Sequence, residues 1–169
     1  NENIMKKIRF TIVSLLLNYM NTSAQFIHFS PTSDTSAGII AEGYIDTYFS
    51  YDFAEPPDAN IPYFVSQNRH NEFNINLAYI SLKYSSDKVR AVFTPGFGTY
   101  MNSNYAAERI TLRNIVEGNV GIRLSSKKNI WLDAGVIGSP FTNESSISFD
   151  QLALTRSFAP EYVPYYMTG

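Results

Sequence analysis

A chain of 169 residues is long enough for one domain with a real core, and 44% hydrophobic with 17% charged content excludes a disordered polyelectrolyte. A net charge of −2 argues against a general nucleic-acid binder, and the absence of cysteine excludes a disulfide framework, a thiolate metal site and a cysteine nucleophile. A mean hydropathy of −0.15 excludes a helical membrane protein, while 12 Tyr and 12 Phe favour strands and water–apolar boundaries.

At the amino end, Met5-Lys6-Lys7-Ile8-Arg9 is basic, the run FTIVSLLL from Phe10 to Leu17 is apolar, and Asn21-Thr22-Ser23-Ala24-Gln25 is small and polar. That order is what a secretory signal peptide needs. The apolar run is too short to span a bilayer, which takes about 20 residues. An amphipathic helix or membrane anchor is the other reading. Residues 1–24 are thus expected to be a cleaved signal peptide with a short upstream extension, and 25–169 the exported part. Cleavage would take Lys+Arg from 13 to 10 and Asp+Glu from 15 to 14, changing the net charge from −2 to −4.

From Ala41 to Phe53, Ala41, Gly43, Ile45, Thr47, Phe49, Tyr51 and Phe53 alternate with Glu42, Tyr44, Asp46, Tyr48, Ser50 and Asp52. Period two predicts a strand with two unlike faces. Similar segments run over 72–84, 88–97, 110–124 and 130–138, several of them longer than the typical strand of about 5–6 residues. Ile80 and Leu82 fall in the polar phase, which fits a bulge or local inward packing. Pro95 cannot donate to a ladder, so the third strand is expected to bend, bulge or reach a rim beyond Thr94. Over 110–124, Leu112, Ile115, Val116 and Val120 also fit a helical stripe, but Gly118 and Gly121 would weaken a helix and a strand is preferred. Residues 165–169 read as the start of another strand.

The connections alternate in length: long over 54–71, short over 85–87, medium over 101–109, short over 125–129, and long from Ser139 onward. Outer-membrane barrels have this asymmetry, with short periplasmic turns and longer outer loops. One face is expected to carry Ile45, Phe49, Phe73, Ile75, Leu77, Val89, Ala91, Phe93, Val116, Val120, Ile122, Leu132, Ala134 and Val136, without a charge. The other carries Glu42, Asp46, Asn74, Asn76, Arg90, Arg113, Glu117, Arg123 and Asp133, the candidates for the wall of a water-filled lumen. Candidates for an aromatic girdle are Phe49, Tyr51, Phe53, Phe73, Phe97 and Tyr100 towards the long loops and Tyr44, Tyr84 and Trp131 towards the turns.

No constellation points to catalysis. Glu42 and Asp46 share a face four residues apart, about 13 Å along a strand, farther than the roughly 5–9.5 Å of paired glycosidase carboxylates. Arg113 and Glu117, with Arg90 on the neighbouring strand, read as an electrostatic constriction or as mutually neutralising wall charges. His70 and Glu72 lack the further ligands of a metal site. Ser145, Ser146 and Ser148 have no nucleophile motif or nearby histidine, and TPGFGTY (94–100) lacks the lysine and the following helix of a phosphate loop, so its glycines are expected to permit a bend near the rim. No catalytic residue, metal or cofactor is expected.

HNEFNINLAYISLKY (70–84), VRAVFTPGFGTYMNSNYAAE (89–108), IWLDAGVIG (130–138) followed by NESS, and LTRSFAPEYVPYYMTG (154–169), in this order and spacing, resemble the OmpL-like β-barrel porins of the Gram-negative outer membrane. The resemblance runs from roughly Gly43 to the end and implies a barrel longer than this chain. Five strands cannot close around charged side chains in water, and open sheet edges are not tolerated in hydrocarbon. The expected fold is therefore all-β: the amino-terminal portion of a larger antiparallel up-and-down transmembrane β-barrel. The expected activity is passive diffusion of small hydrophilic solutes or ions, with outer-membrane lipid around the barrel and no nucleic-acid partner. A non-conducting barrel with a structural or adhesive role, and a soluble secreted β-sandwich or lipocalin-like binder, are the alternatives.

Overall fold

The structure, a computed structural model, describes residues 37–153 and 155–169, so the expected signal peptide lies outside the described residues. Six strands form one antiparallel sheet in chain order: β1 (Gly38–Ser50), β2 (Glu72–Ser85), β3 (Val89–Phe97), β4 (Ile115–Arg123), β5 (Trp131–Gly138) and β6 (Tyr166–Thr168). Chain neighbours pair because each connection simply reverses the chain. The sheet does not close, and β1 and β6 are its edges. Among the described residues two short α-helices, α1 (Thr99–Asn104) and α2 (Phe158–Glu161), and a 3-10 turn (Ser148–Asp150) lie in the connections, so a helix does follow the glycine-rich 94–100, contrary to expectation. Among the described residues no helix is long and apolar enough to cross a membrane.

Several boundaries differ from those the pattern predicts. β1 stops at Ser50, before Phe53, and β4 starts at Ile115 rather than at 110. Residues 109–114 form a helical turn in which the amides of Leu112 and Arg113 both reach the Arg109 carbonyl, at 2.8 and 3.2 Å. The helical stripe therefore describes the start of that segment and the strand describes the rest. Within the connection 98–114 the chain also forms α1, entered through Gly98 at φ +139. A Cβ there would sit 2.3 Å from the Asn76 carbonyl oxygen, so only glycine fits the close approach of this turn to β2.

Two bulges set the faces. Asp46 lies opposite Leu77 and Thr47 opposite Ile75, which leaves Asn76 as the extra residue on β2. Its phase reverses there, so Ile80 and Leu82 share the face of Phe73 and Ile75, while Leu77 and Tyr79 turn to the other side. The second slip lies between Thr94 and Pro95, opposite Glu117 and Ile115, and leaves Val116 extra. Proline's missing donor explains why the ladder slips at that point. Leu77 and Val116, expected on the apolar face, are thus corrected to the opposite face, where they are 0% and 1% exposed.

With these slips counted, the outer face of β1–β5 carries no Lys, Arg, Asp or Glu. It presents Ile45, Ile80, Phe93 and Leu132 at 58, 62, 51 and 56% exposure. The buried cluster lies on the other, inner face: Tyr44, Leu77, Tyr79, Tyr100, Met101, Tyr105, Val116 and Tyr165. A sheet of a water-soluble protein would bury the charge-free face; this one leaves it open and packs its charged face with tyrosine.

Candidate functional site

The inner face has two halves. Connections 51–71, 98–114 and 139–165 all leave the same end of the sheet, and all three fold back over its inner face. Tyr100 and Met101 of α1, Tyr105 after it, and Tyr165 before β6 pack on Leu77, Tyr79 and Val116, with Val65 and Ile147 at the margin. The Tyr48 hydroxyl meets Thr99 Oγ1 at 3.0 Å and accepts the Arg69 amide at 3.1 Å. Asn76 is wholly buried between wall and loop. Its Oδ1 accepts the Gln67 amide at 2.8 Å, and its Nδ2 donates to Asp46 Oδ2 at 2.9 Å.

The same Asp46 oxygen accepts the Ser148 hydroxyl at 2.5 Å, and the Ser148 amide donates to the Tyr44 hydroxyl at 3.1 Å. Arg156, only 6% exposed, donates to Ser148 Oγ at 3.2 Å, to the Ser145 carbonyl at 3.2 Å and to the Ser146 carbonyl at 2.6 Å. A buried guanidinium with three such bonds gathers Ser145, Ser146 and Ser148 around Arg156, and Asp46 then ties Ser148 to the sheet. Glu161 accepts the Val65 amide at 2.6 Å, which joins the last connection to the first. Burial pushes the Glu161 carboxyl above the usual carboxylate range. The Ser157 hydroxyl and amide on Glu144 hold that carboxyl below it.

The half towards the short turns 86–88 and 124–130 keeps charged side chains. Lys83 Nζ donates to Glu42 Oε2 at 2.6 Å across β1 and β2. Arg90 grips Asp133 with two bonds, Nε to Oδ1 at 2.7 Å and Nη2 to Oδ2 at 2.5 Å, and its guanidinium lies 4.6 Å above the Trp131 ring. This pair joins β3 to β5 across β4, which is possible because Gly121 lies between them. A Cβ on Gly121 would sit 2.1 Å from Asp133 Oδ1 and 2.9 Å from Arg90 Cγ. Glu117 accepts Asn119 Nδ2 at 2.9 Å, and Arg123 Nε is buried without a hydrogen-bond partner among the described residues.

Of the wall candidates, Glu42, Asp46, Asn74, Asn76, Arg90, Glu117, Arg123 and Asp133 share the inner face. Arg113 does not. It sits in the helical turn before β4 and donates to the Glu108 and Ala106 carbonyls at 2.9 and 2.6 Å, so it braces its own connection rather than facing Arg90. Among the girdle candidates, Phe49, Phe73 and Phe97 stand exposed on the outer face near the long connections, with Phe49 and Phe73 rings 5.1 Å apart, and Tyr84 stands at the turn end. Tyr51 and Phe53 are exposed just past β1, with ring centroids 5.4 Å apart. Tyr44, Tyr100 and Trp131 are corrected: Tyr44 and Trp131 have the phase of Glu42 and Asp133 and so lie on the inner face, and Tyr100 is buried in the cluster under α1.

Lys83, Gly121, Ser148 and Arg156 escaped the reading of the sequence. Lys83 turns inward only once the β2 bulge is counted. Gly121 had a signal, a glycine flanked in register by an arginine and an aspartate. Ser148 and Arg156 act on β1 from over 100 residues away in the case of Ser148 and Asp46, and no local pattern marks them.

A family model described as "Putative beta-barrel porin-2, OmpL-like" matches residues 38–169, from the first residue of β1 to the end. No curated protein and no solved structure matches the chain.

Proposed function

The chain belongs to the OmpL-like family of putative β-barrel porins, and from that premise we propose that it is exported by a cleaved signal peptide and forms part of an outer-membrane barrel for passive diffusion of small hydrophilic solutes or ions. The carrying observation is the charge-free, exposed outer face of β1–β5 set against the charged inner face. Lipid solvates the first and a hydrated lumen the second. Unpaired backbone along the β1 edge is not tolerated in hydrocarbon, so strands beyond these six complete the wall. Phe49, Tyr51, Phe53, Phe73 and Phe97 form the girdle at the loop end and Tyr84 at the turn end.

In this reading the folded-back connections narrow the passage at the loop end, and Glu42, Lys83, Arg90, Glu117, Arg123 and Asp133 line the remainder. Mixed charge along the wall of a narrow water path discriminates by charge without chemistry on the solute. The latch of Asp46, Ser148 and Arg156 over the inner face also favours a second reading, a closed barrel with a structural or adhesive role.

Single-channel recording of the whole protein, with the strands that complete the wall, refolded and inserted in a planar bilayer separates the two. Discrete open steps, with ion preference shifted towards cations by Arg90→Gln and towards anions by Asp133→Asn, support the porin. Silence from protein shown to be folded and inserted supports the closed barrel.

A further inference from the structure

β2 runs on beyond the end of β3, because Phe97 pairs with Ala78 while β2 begins at Glu72. The chain leaves β3 at Gly98 and turns into α1, which opens a cavity of about 560 Å³ between the free stretch of β2, α1 and the connection 51–71. That is the size of small-molecule sites. Its lining is unusual in composition: Asn60, Asn68, Asn74 and Asn102 with Ser103, beside the half-exposed ring of Phe97.

Asn68 is 4% exposed, and its Oδ1 has no hydrogen-bond partner among the described residues. Its Nδ2 donates to Asn60 Oδ1 at 3.3 Å and to Ser103 Oγ at 2.7 Å, which fixes the amide with oxygen at the other corner. A buried acceptor without a partner costs stability until a donor reaches it, and Asn68, which carries this one, lines a polar cavity. The charge of the cavity narrows the choice. Among the described residues Arg69 is the only lining cation, and its Nε is engaged by Glu72 at 2.8 Å while Nη1 donates to the Asp58 carbonyl at 3.2 Å. No carboxylate among the described residues lines the cavity. Side-chain amides and a hydroxyl, held in place by bonds among themselves and to the chain, match adjacent sugar hydroxyls through their remaining donors and lone pairs, and an aromatic face matches the C–H face of a pyranose.

We propose that this cavity binds a neutral pyranose ring, at the loop end of the sheet and independently of whether the barrel conducts. The ring has two sources, a free saccharide or the sugar headgroup of the surrounding outer-leaflet lipid, since Phe97 stands on the outer face beside the opening.

The test uses the full chain refolded in detergent, with the methyl glycosides of glucose, mannose and N-acetylglucosamine as probes, read by saturation-transfer NMR. At least one probe is expected to show transfer to its ring protons. Phe97→Ala and Asn102→Ala, both at exposed positions, should each weaken binding about tenfold, the loss of one good contact. Asn68→Ala should do the same with far-UV circular dichroism unchanged. Displacement of the probe by purified lipopolysaccharide, but not by lipid lacking sugar, assigns the site to the headgroup. Tighter binding of longer free oligosaccharides without lipopolysaccharide competition assigns it to soluble glycans. Absence of transfer from all three probes to folded protein, or equal transfer in a Phe97→Ala/Asn102→Ala double variant, would overturn the proposal. Neither result bears on conductance, which is measured separately.

Discussion

Gly121→Ala isolates the cross-strand clamp of the inner face. The added Cβ would lie 2.1 Å from Asp133 Oδ1, 2.9 Å from Arg90 Cγ and 3.0 Å from Arg90 Nε. The carboxylate sits on a short side chain and cannot swing clear while staying bonded to Arg90, so the two-bond grip must break. Inserting a methyl group into such a contact costs about 1–3 kcal/mol. Replacing a strand glycine by alanine returns about 0.5–1 kcal/mol. The net is a loss of up to about 2.5 kcal/mol.

Remove the obstruction first, with Asp133→Ala, and only the mobile Arg90 side chain remains in the way. Gly121→Ala should then stabilise by about 0.5–1 kcal/mol. A double-mutant cycle by urea unfolding in phospholipid vesicles, followed by the fluorescence of Trp131, the one tryptophan of the chain, reads this change of sign. Equal destabilisation in both backgrounds would show that β4 meets its neighbours through backbone at Gly121, and the clamp would not explain the glycine.

Val120→Arg, on the outer face, should cost about 2–4 kcal/mol if it lies near the bilayer midplane, whereas Asn119→Arg on the inner face should cost far less; both are read by the same unfolding titration. Arg156→Met should release the 145–156 stretch from Asp46, giving faster proteolysis in the connection 139–165 and larger conductance steps. Glu161 carries a pKa raised by burial, so folded protein holds its proton to higher pH than unfolded protein does. Stability should therefore fall as pH rises through the interval from the ordinary carboxylate value to the raised one. Glu161→Gln should flatten that part of the pH–stability curve; an unchanged slope would refute burial as the cause.

Much of the fold is visible in the alternation itself. In β1, β3 and β5 the period of two runs without interruption past Glu42, Asp46, Arg90 and Asp133, so their common face follows from the sequence. Leu77 and Val116 were misplaced for one reason: each adjoins a one-residue slip, and such a slip exchanges the two faces of everything beyond it. Ile80 and Leu82 signalled the first slip and Pro95 the second, but neither signal says which residue is the extra one. Tyr44 and Trp131 were placed by their height along the strand, although their phase already set them beside Glu42 and Asp133. Arg113 failed because the residues before Ile115 follow a helical period. The covering of the inner face was illegible, since the bonds of Ser148, Arg156 and Glu161 to the wall and to the first connection join residues far apart in the chain.

The most direct test is solvent accessibility along β2, β4 and β5, for which the cysteine-free chain is suited. Single cysteines at successive positions from 73 to 84, 117 to 122 and 132 to 136 would be assayed in vesicles with a water-soluble thiol reagent and with a lipid-confined quencher. Quenching by lipid at Phe73, Ile75, Ile80, Leu82, Val120 and Leu132, alternating with aqueous labelling at positions such as Lys83, Asn119 and Asp133 and reversing phase across Asn76 and Leu77, is the expected result. Aqueous labelling of Ile80, Val120 and Leu132 as fast as of Lys83 would contradict it, because the charge-free face would then be in water.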